Sequence, residues 1–299
     1  MSSLAQIPEL ALEQRLRDHV EALSDSIGER NVWRPAALRA AAAYIRGAFT
    51  AAGCAVQAQA YEAQGVRCEN LEVTLGGAEP ARIVIVGAHY DTVAGSPGAD
   101  DNASGVAGLI EIARALRPMS LGCTVKLVAF VNEEPPFFFS GEMGSLVYAR
   151  AARRRGDDIR LMLSLEMLGC YSDAPGSQGC PPLLRWFYPD RGNFIAFVSN
   201  LRSRRALQAV VQAFRSVSDF PAERLASPAI VPGVAWSDQL SFWRAGYAAV
   251  MVTDTAFYRN DHYHRASDTP ETLDYRSMAR VVDGLAQAVG VLAGQPGPR

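Results

Sequence analysis

Ile83-Val84-Ile85-Val86-Gly87-Ala88-His89-Tyr90-Asp91, followed by Gly98-Ala99-Asp100-Asp101-Asn102-Ala103-Ser104-Gly105, is the stretch that decides how the chain is read. Its four leading branched apolar residues read as a strand buried on both faces. From Gly105 onward the spacing turns helical, with Val106, Leu109, Ile110, Ala113 and Leu116 on one face. An imidazole and three carboxylates therefore fall on the loop between a buried strand and the next helix, where open α/β sheets bind ligands. Burying carboxylates beside an imidazole is costly without something positive to compensate. Few Lys or Arg lie nearby in the sequence, so a metal ion is the expected compensation.

The same pattern recurs on both sides. Residues 125–131 form an apolar run that leads into Asn132-Glu133-Glu134, and 161–165 form one that ends in Glu166. Residues 194–198 read as a strand followed by a helix at 205–214, and 247–252 read as the last strand, leading into Asp261-His262-Tyr263-His264. Upstream, Leu12, Leu16, Val20, Leu23 and Ile27 predict an amphipathic helix over 10–27. Pro35 opens a second helix that stops near Gly53, and strands are expected at 55–61 and 70–75. Met278, Val281, Val282, Leu285 and Val289 mark a closing helix, with a tail over 294–299. Strands alternating with helices predict an α/β fold with a mostly parallel sheet covered on both faces. No repeat or linker divides the chain, so residues 1–299 read as one catalytic domain, with N-terminal helices over about 4–52 packed on it.

Composition removes several function classes. The 299 residues carry a net charge of −2, so there is no basic field for nucleic acid. Arg153-Arg154-Arg155 reads as a solvated helix end favoured by the helix dipole. The N-terminus lacks the basic start and apolar core of a signal peptide, and Arg39 and Arg46 break the alanine-rich stretch, so no membrane span is expected. The five cysteines form no Cys-x-x-Cys pair. Reduced thiols in a cytoplasmic protein are expected, since a Cys170–Cys180 bridge would leave an odd number over.

Four strand ends thus deliver acid or imidazole: His89 with Asp101, Glu133-Glu134, Glu166, and His264. Two imidazoles and several carboxylates suit zinc or another borderline dication, and so many carboxylates can hold two ions. Asp91, two residues beyond His89, is placed to accept that ring's second N–H. Asp101 can bridge two ions. Adjacent glutamates on an extended chain point to opposite faces, so one should bind metal while the other faces the substrate as a base.

The order His89-x-Asp91, Gly98-Ala99-Asp100-Asp101-Asn102-Ala103-Ser104-Gly105, Glu133-Glu134, an acid closing a strand, and His264-x-x-x-Asp268-Thr269 resembles family twenty-eight of the metallopeptidases. That family contains co-catalytic zinc aminopeptidases, glutamate carboxypeptidase-like enzymes and glutaminyl cyclases. The resemblance covers roughly residues 83–285. It implies a three-layer α/β/α sandwich with a mixed central sheet and two zinc ions. It places His89 and Glu166 on one ion, Glu134 and His264 on the other, Asp101 between them, and Glu133 as general base. It also implies a cis peptide bond at Asp101–Asn102. Three features depart from the family pattern. Glu166 stands where an aspartate is usual, the Pro135-Pro136-Phe137-Phe138-Phe139 loop is long, and Ser237-Asp238-Gln239 replaces Ser-Asp-His.

Among the remaining residues, His264 is preferred to His262 as ligand because of the Asp-Thr-Pro that follows it. His19 is assigned to the surface. Phe138 and Phe139 are candidates for an apolar substrate wall at the metal mouth, with core packing the alternative. Asp238 reads as a helix N-cap, a substrate contact, or both. The expected activity is removal of N-terminal residues from a small peptide or amino-acid derivative, with oligomeric state left open. A one-zinc glutaminyl cyclase-like acyltransferase, an N-acyl amino acid deacylase or carboxypeptidase, and a peptide-binding relic of the fold are its rivals.

Overall fold

A computed structural model describes residues 9–181 and 186–294; the expected N-terminal residues 4–8 and most of the 294–299 tail lie outside them. Helix α1 (Glu9–Glu21) runs on through a wider turn at Ala22–Ile27, and α2 spans Pro35–Ala51. Strands β1 (Val56–Ala63), β2 (Val66–Leu75) and β3 (Gly77–His89) follow, then α3 (Gly105–Leu116) and β4 (Leu121–Phe130). Next come α4 (Gly144–Arg155), β5 (Asp158–Glu166), β6 (Ile195–Ser199), α5 (Arg204–Val217) and β7 (Ala222–Ala226). The described chain closes with α6 (Gln239–Arg244), β8 (Ala249–Thr253) and α7 (Tyr275–Leu292).

The eight strands form one mixed sheet in the order β1-β2-β4-β3-β5-β8-β6-β7. Neighbours β4, β3, β5 and β8 run parallel, so their C-terminal ends emerge on a single edge of the sheet. The burial of β3 and β4 explains their apolar runs, of which the one in β4 is interrupted by Lys126, paired with Glu72 at 2.9 Å. Val84, Val86, Val125 and Leu127 pack into the larger core, while Ile83, Ile85, Val128 and Phe130 face the opposite layer. That period of two, apolar on both sides, is what a central strand between two helical layers requires. Helices α1, α2, α3, α5 and α7 cover one face; α4 and α6 cover the other, where Tyr148 and Phe242 meet Phe130.

Several expectations are refined. Strand β3 is longer than 83–86 and ends on His89, so that imidazole belongs to the strand and not to the loop beyond it. Strand β7 had no counterpart in the sequence reading, and the short helix α6 was anticipated only by the reading of Asp238 as a cap. His19 is buried, bonded through Nδ1 to Tyr44 Oη at 2.8 Å and facing Glu111 at 3.4 Å, which corrects its surface assignment. All five cysteines are free. No helix among the described residues is long and apolar enough to cross a membrane.

Candidate metal centre

His89 is the last residue of β3 and Glu166 the last of β5. Glu133 and Glu134 lie just past β4, and His264 lies in the loop after β8. Asp101 sits in the turn that opens α3. Its peptide bond to Asn102 is cis. The Asn102 side chain ties this turn to β5: its amide donates to Leu165 O at 2.8 Å, and its carbonyl accepts from Gly105 N and Met167 N, each at 3.1 Å. Gly105 has to be glycine for this contact, because a Cβ there would run into the Asn102 side chain.

Two groups of ligand-type atoms result, His89–Asp101–Glu166 and Asp101–Glu134–His264. His89 Nε2 lies 3.2 Å from Asp101 Oδ1 and 3.5 Å from Glu166 Oε2. His264 Nε2 lies 3.1 Å from Asp101 Oδ2 and 3.3 Å from Glu134 Oε2. Two ligands each about 2.0–2.1 Å from one tetrahedral ion stand about 3.3 Å apart, so both groups have the spacing an ion needs. Asp101 gives one carboxylate oxygen to each. His89 Nε2, Asp101 Oδ1 and Glu134 Oε1 are buried and without a hydrogen-bond partner, as atoms aimed at a cation would be. The donor set fits zinc-type dications.

Glu133 belongs to neither group; its Oε2 is 4.0 Å from His89 Nε2. Burial drives its carboxyl well above the usual range, the neighbouring Glu134 and Glu166 push the same way, and His89 opposes them. Burial works against the charged form of His89, yet Glu166 and Glu133 lift it well above the ordinary imidazole value. An acid-rich pocket with too little positive charge produces shifts of this kind.

Two further carboxylates hold the ligand segments by their backbones. Asp91 accepts from Glu133 N at 3.0 Å and Glu134 N at 3.1 Å, and Asp268 accepts from Asp100 N at 2.9 Å and Asp101 N at 3.1 Å. The expected role of Asp91 therefore shifts. His89 Nδ1 is 3.2 Å from the Asp91 backbone carbonyl and 3.6 Å from its carboxylate, which is engaged with the two glutamates. Sequence reasoning gave Asp268 no such task, although its place four residues after His264 was noted.

His262 bonds Ser267 Oγ at 2.9 Å and joins neither group. Asp238 precedes α6 but makes no capping hydrogen bond, which corrects that reading; it is fully buried, and burial pushes its carboxyl up to about 7. Ser237 Oγ donates to Glu166 Oε2 at 2.5 Å. Gln239 is buried and donates to Val234 O at 3.1 Å.

An apolar cavity of about 110 Å³ adjoins Glu166. Phe194, Val198, Met251, Trp236 and Phe257 line it, together with Tyr263, whose ring stacks on His264 at 3.8 Å. Phe137, Phe138 and Phe139 do not line it. Phe137 is buried, and Phe139 is half-exposed between Phe138 and Arg244. The aromatic side chains around it, Phe194, Trp236, Phe257 and Tyr263, come from segments outside the strands, while β6 and β8 add Ala196, Val198 and Met251.

Sequence reasoning also missed Arg30, whose fully buried guanidinium lies behind the centre. No local pattern marks it, because its partners are backbone carbonyls, three of them 60 or more residues away in sequence.

The Escherichia coli (strain K12) protein "Uncharacterized protein YfbL" is 40% identical over 294 residues, covering 95% of this chain and 90% of that protein. "Probable leucine aminopeptidase" of Trichophyton verrucosum is 27% identical over 237 residues, covering 74% of this chain but only 57% of the fungal protein. Among solved structures, a zinc aminopeptidase from Bacillus subtilis superposes with a TM-score of 0.73 at 15% identity, covering 93% of this chain and 94% of its own. Porphyromonas gingivalis glutaminyl cyclase does so with a TM-score of 0.73 at 19% identity, covering 94% and 98%. Both share the fold. The sequence model of peptidase family M28 matches residues 70–289, most of the chain and all of the ligand segments, and the chain therefore belongs to that family.

Proposed function

We propose that this chain is a zinc-dependent aminopeptidase, acting as one catalytic domain on short peptides or amino-acid derivatives. The observation that carries the reading is the division of Asp101, one carboxylate oxygen facing each of two three-residue ligand groups. His89 and Glu166 would hold one ion and Glu134 and His264 the other. Bound there, two divalent ions supply Lewis-acid polarisation of the scissile carbonyl and acidify the attacking water.

The chain's own residues do the rest. Glu133, free of both groups and with a carboxyl pushed upward by burial, takes the proton from that water and passes it to the leaving amine. The acid-rich wall favours a substrate with a free ammonium, and the cavity beside Glu166 takes the N-terminal side chain. Its aromatic lining suits a large apolar residue. Leucine aminopeptidases among the sequence relatives and a zinc aminopeptidase among the structural neighbours support this reading.

The test compares leucyl anilide, N-acetyl-leucine and an N-terminal glutaminyl peptide as substrates, with zinc counted per chain. Hydrolysis of the anilide with two zincs per chain is expected. One zinc per chain with cyclisation of the glutaminyl peptide, or turnover of N-acetyl-leucine alone, would overturn the proposal.

A further inference from the structure

Arg30 lies between the turn at Ala22–Ile27 and α2, upstream of the residues that match the family. Among the described residues it is the one lysine or arginine that is buried, and its exposure is 0%. Its Nε donates to Tyr90 O at 2.7 Å, and its Nη2 donates to Gly98 O at 2.9 Å. Its Nη1 reaches Leu23 O and Gly28 O at 3.1 Å and Pro97 O at 2.6 Å. Its backbone pairs with Thr92 through Thr92 N to Arg30 O at 3.0 Å and Arg30 N to Thr92 Oγ1 at 3.1 Å. Every acceptor of the guanidinium is a neutral carbonyl, and three belong to the 90–98 loop that joins His89 to Asp101.

Around it the charge runs the other way. His89 and His264 share their neighbourhood with Asp91, Asp101, Glu133, Glu134, Glu166, Asp238 and Asp268, all buried. Burying so many like charges is costly unless they are compensated. An arginine forked onto these carboxylates would compensate them, but it would occupy the oxygens an ion must bind. Arg30 cannot do so, because its donors are held by carbonyls.

We propose that Arg30 is a positioning residue that gives the metal centre a fixed counter-charge, offsetting the acids at a distance while leaving every ligand atom free. The field of a buried cation is weakly screened in the protein interior, so contact is not needed. Burial lowers the guanidinium to about 10, with Asp268, Asp91, Asp101 and Glu134 holding it up, so it stays charged at neutral pH. The inference rests on the metal-binding part of the proposed function and not on its peptidase chemistry.

Two contributions of Arg30 separate experimentally. Its carbonyl bonds hold the loop whether or not metal is bound, whereas its charge matters most when metal is absent, because bound dications do the same work. Arg30→Lys keeps the charge and loses most of the bonds; Arg30→Met loses both. Thermal unfolding of the full-length wild type and both variants would be followed after chelation and again with zinc. Arg30→Lys should lose the same number of degrees in both states. Arg30→Met should lose several degrees more when metal-free, and so show a larger zinc-induced rise than the wild type. Equal losses for Arg30→Met in the two states would reduce Arg30 to a loop tie and overturn the proposal. Failure of Arg30→Met to fold even in zinc would also overturn it, since the ions should stand in for the missing charge. No zinc-induced rise in the wild type would defeat the metal-centre reading, and this proposal with it.

Discussion

Replacing Asp91 by Asn tests whether the centre is held by its backbone clamps. The Asp91 carboxylate is buried and accepts from Glu133 N at 3.0 Å and Glu134 N at 3.1 Å. Asparagine keeps the shape and one acceptor oxygen, but its amide nitrogen must then face the other backbone N–H. One hydrogen bond to a charged acceptor, about 1.5–3 kcal/mol, disappears, and one buried donor left unsatisfied adds about 1–3 kcal/mol. The expected loss is roughly 2.5–6 kcal/mol, a large fraction of the ~5–15 kcal/mol that keeps a typical protein folded. The displaced pair includes Glu134, so metal affinity and turnover should also fall, by about 10–100-fold, as for other outer partners of metal ligands. Urea unfolding with zinc present, metal content after dialysis, and anilide turnover would be measured on one preparation. A variant within ~0.5 kcal/mol of the wild type, with full metal content and turnover, would refute the reasoning.

Three further outcomes are expected. Glu133→Gln should keep the zinc content of the wild type and lose most turnover, because its side chain stands outside both ligand groups; retained activity at normal zinc content would remove it as the base. Ala196 lines the apolar cavity, so Ala196→Phe should raise KM for substrates with a large N-terminal side chain and leave alanyl substrates little changed; equal effects on both would deny the cavity a role in selection. Burial is the main cause that raises Asp238 and Asp268 to about 7 in the folded chain, above their ordinary value of 3.8. Folding therefore favours their protonated forms, and that contribution is present below about pH 4 and lost as pH rises toward 7. Chelated protein should melt at a lower temperature at pH 7 than at pH 5. Zinc should weaken or reverse the trend, because ligands bind metal in their deprotonated forms.

The central strands were legible because a strand covered on both faces cannot hide its composition: 83–86 is a continuous apolar run, 125–131 is broken only by Lys126, and the polar residues that follow them mark the sheet edge. Strand β7 could not be read that way. It lies at the end of the sheet, and its Glu223 and Arg224 interrupt any apolar pattern. Helix α6 is six residues long, too short for a period of 3.6 to register. The ligand-type residues were legible as strand-end acids and imidazoles, and their order completed the resemblance. Their supports were not. The clamp by Asp268 and the bonds from Arg30 to the carbonyls of Tyr90, Pro97 and Gly98 join positions 60 or more residues apart, through backbone atoms that every residue shares. The three consecutive phenylalanines left core packing and a cavity wall equally open, because a conspicuous local cluster says nothing about which way its rings turn once the chain is packed.

The sheet changes direction between β8 and β6, which pair antiparallel. The acids and imidazoles gather on the near side of that reversal, at the ends of β3, β4, β5 and β8, whereas much of the apolar cavity is shaped by β6, β7 and the loops beside them. Glu166 and Tyr263 are the meeting points of the two regions. On the proposed function, bond-breaking and choice of residue would be housed in separable parts of the molecule, and the outer strands could drift toward a new preference while the metal-binding end of the sheet stays as it is.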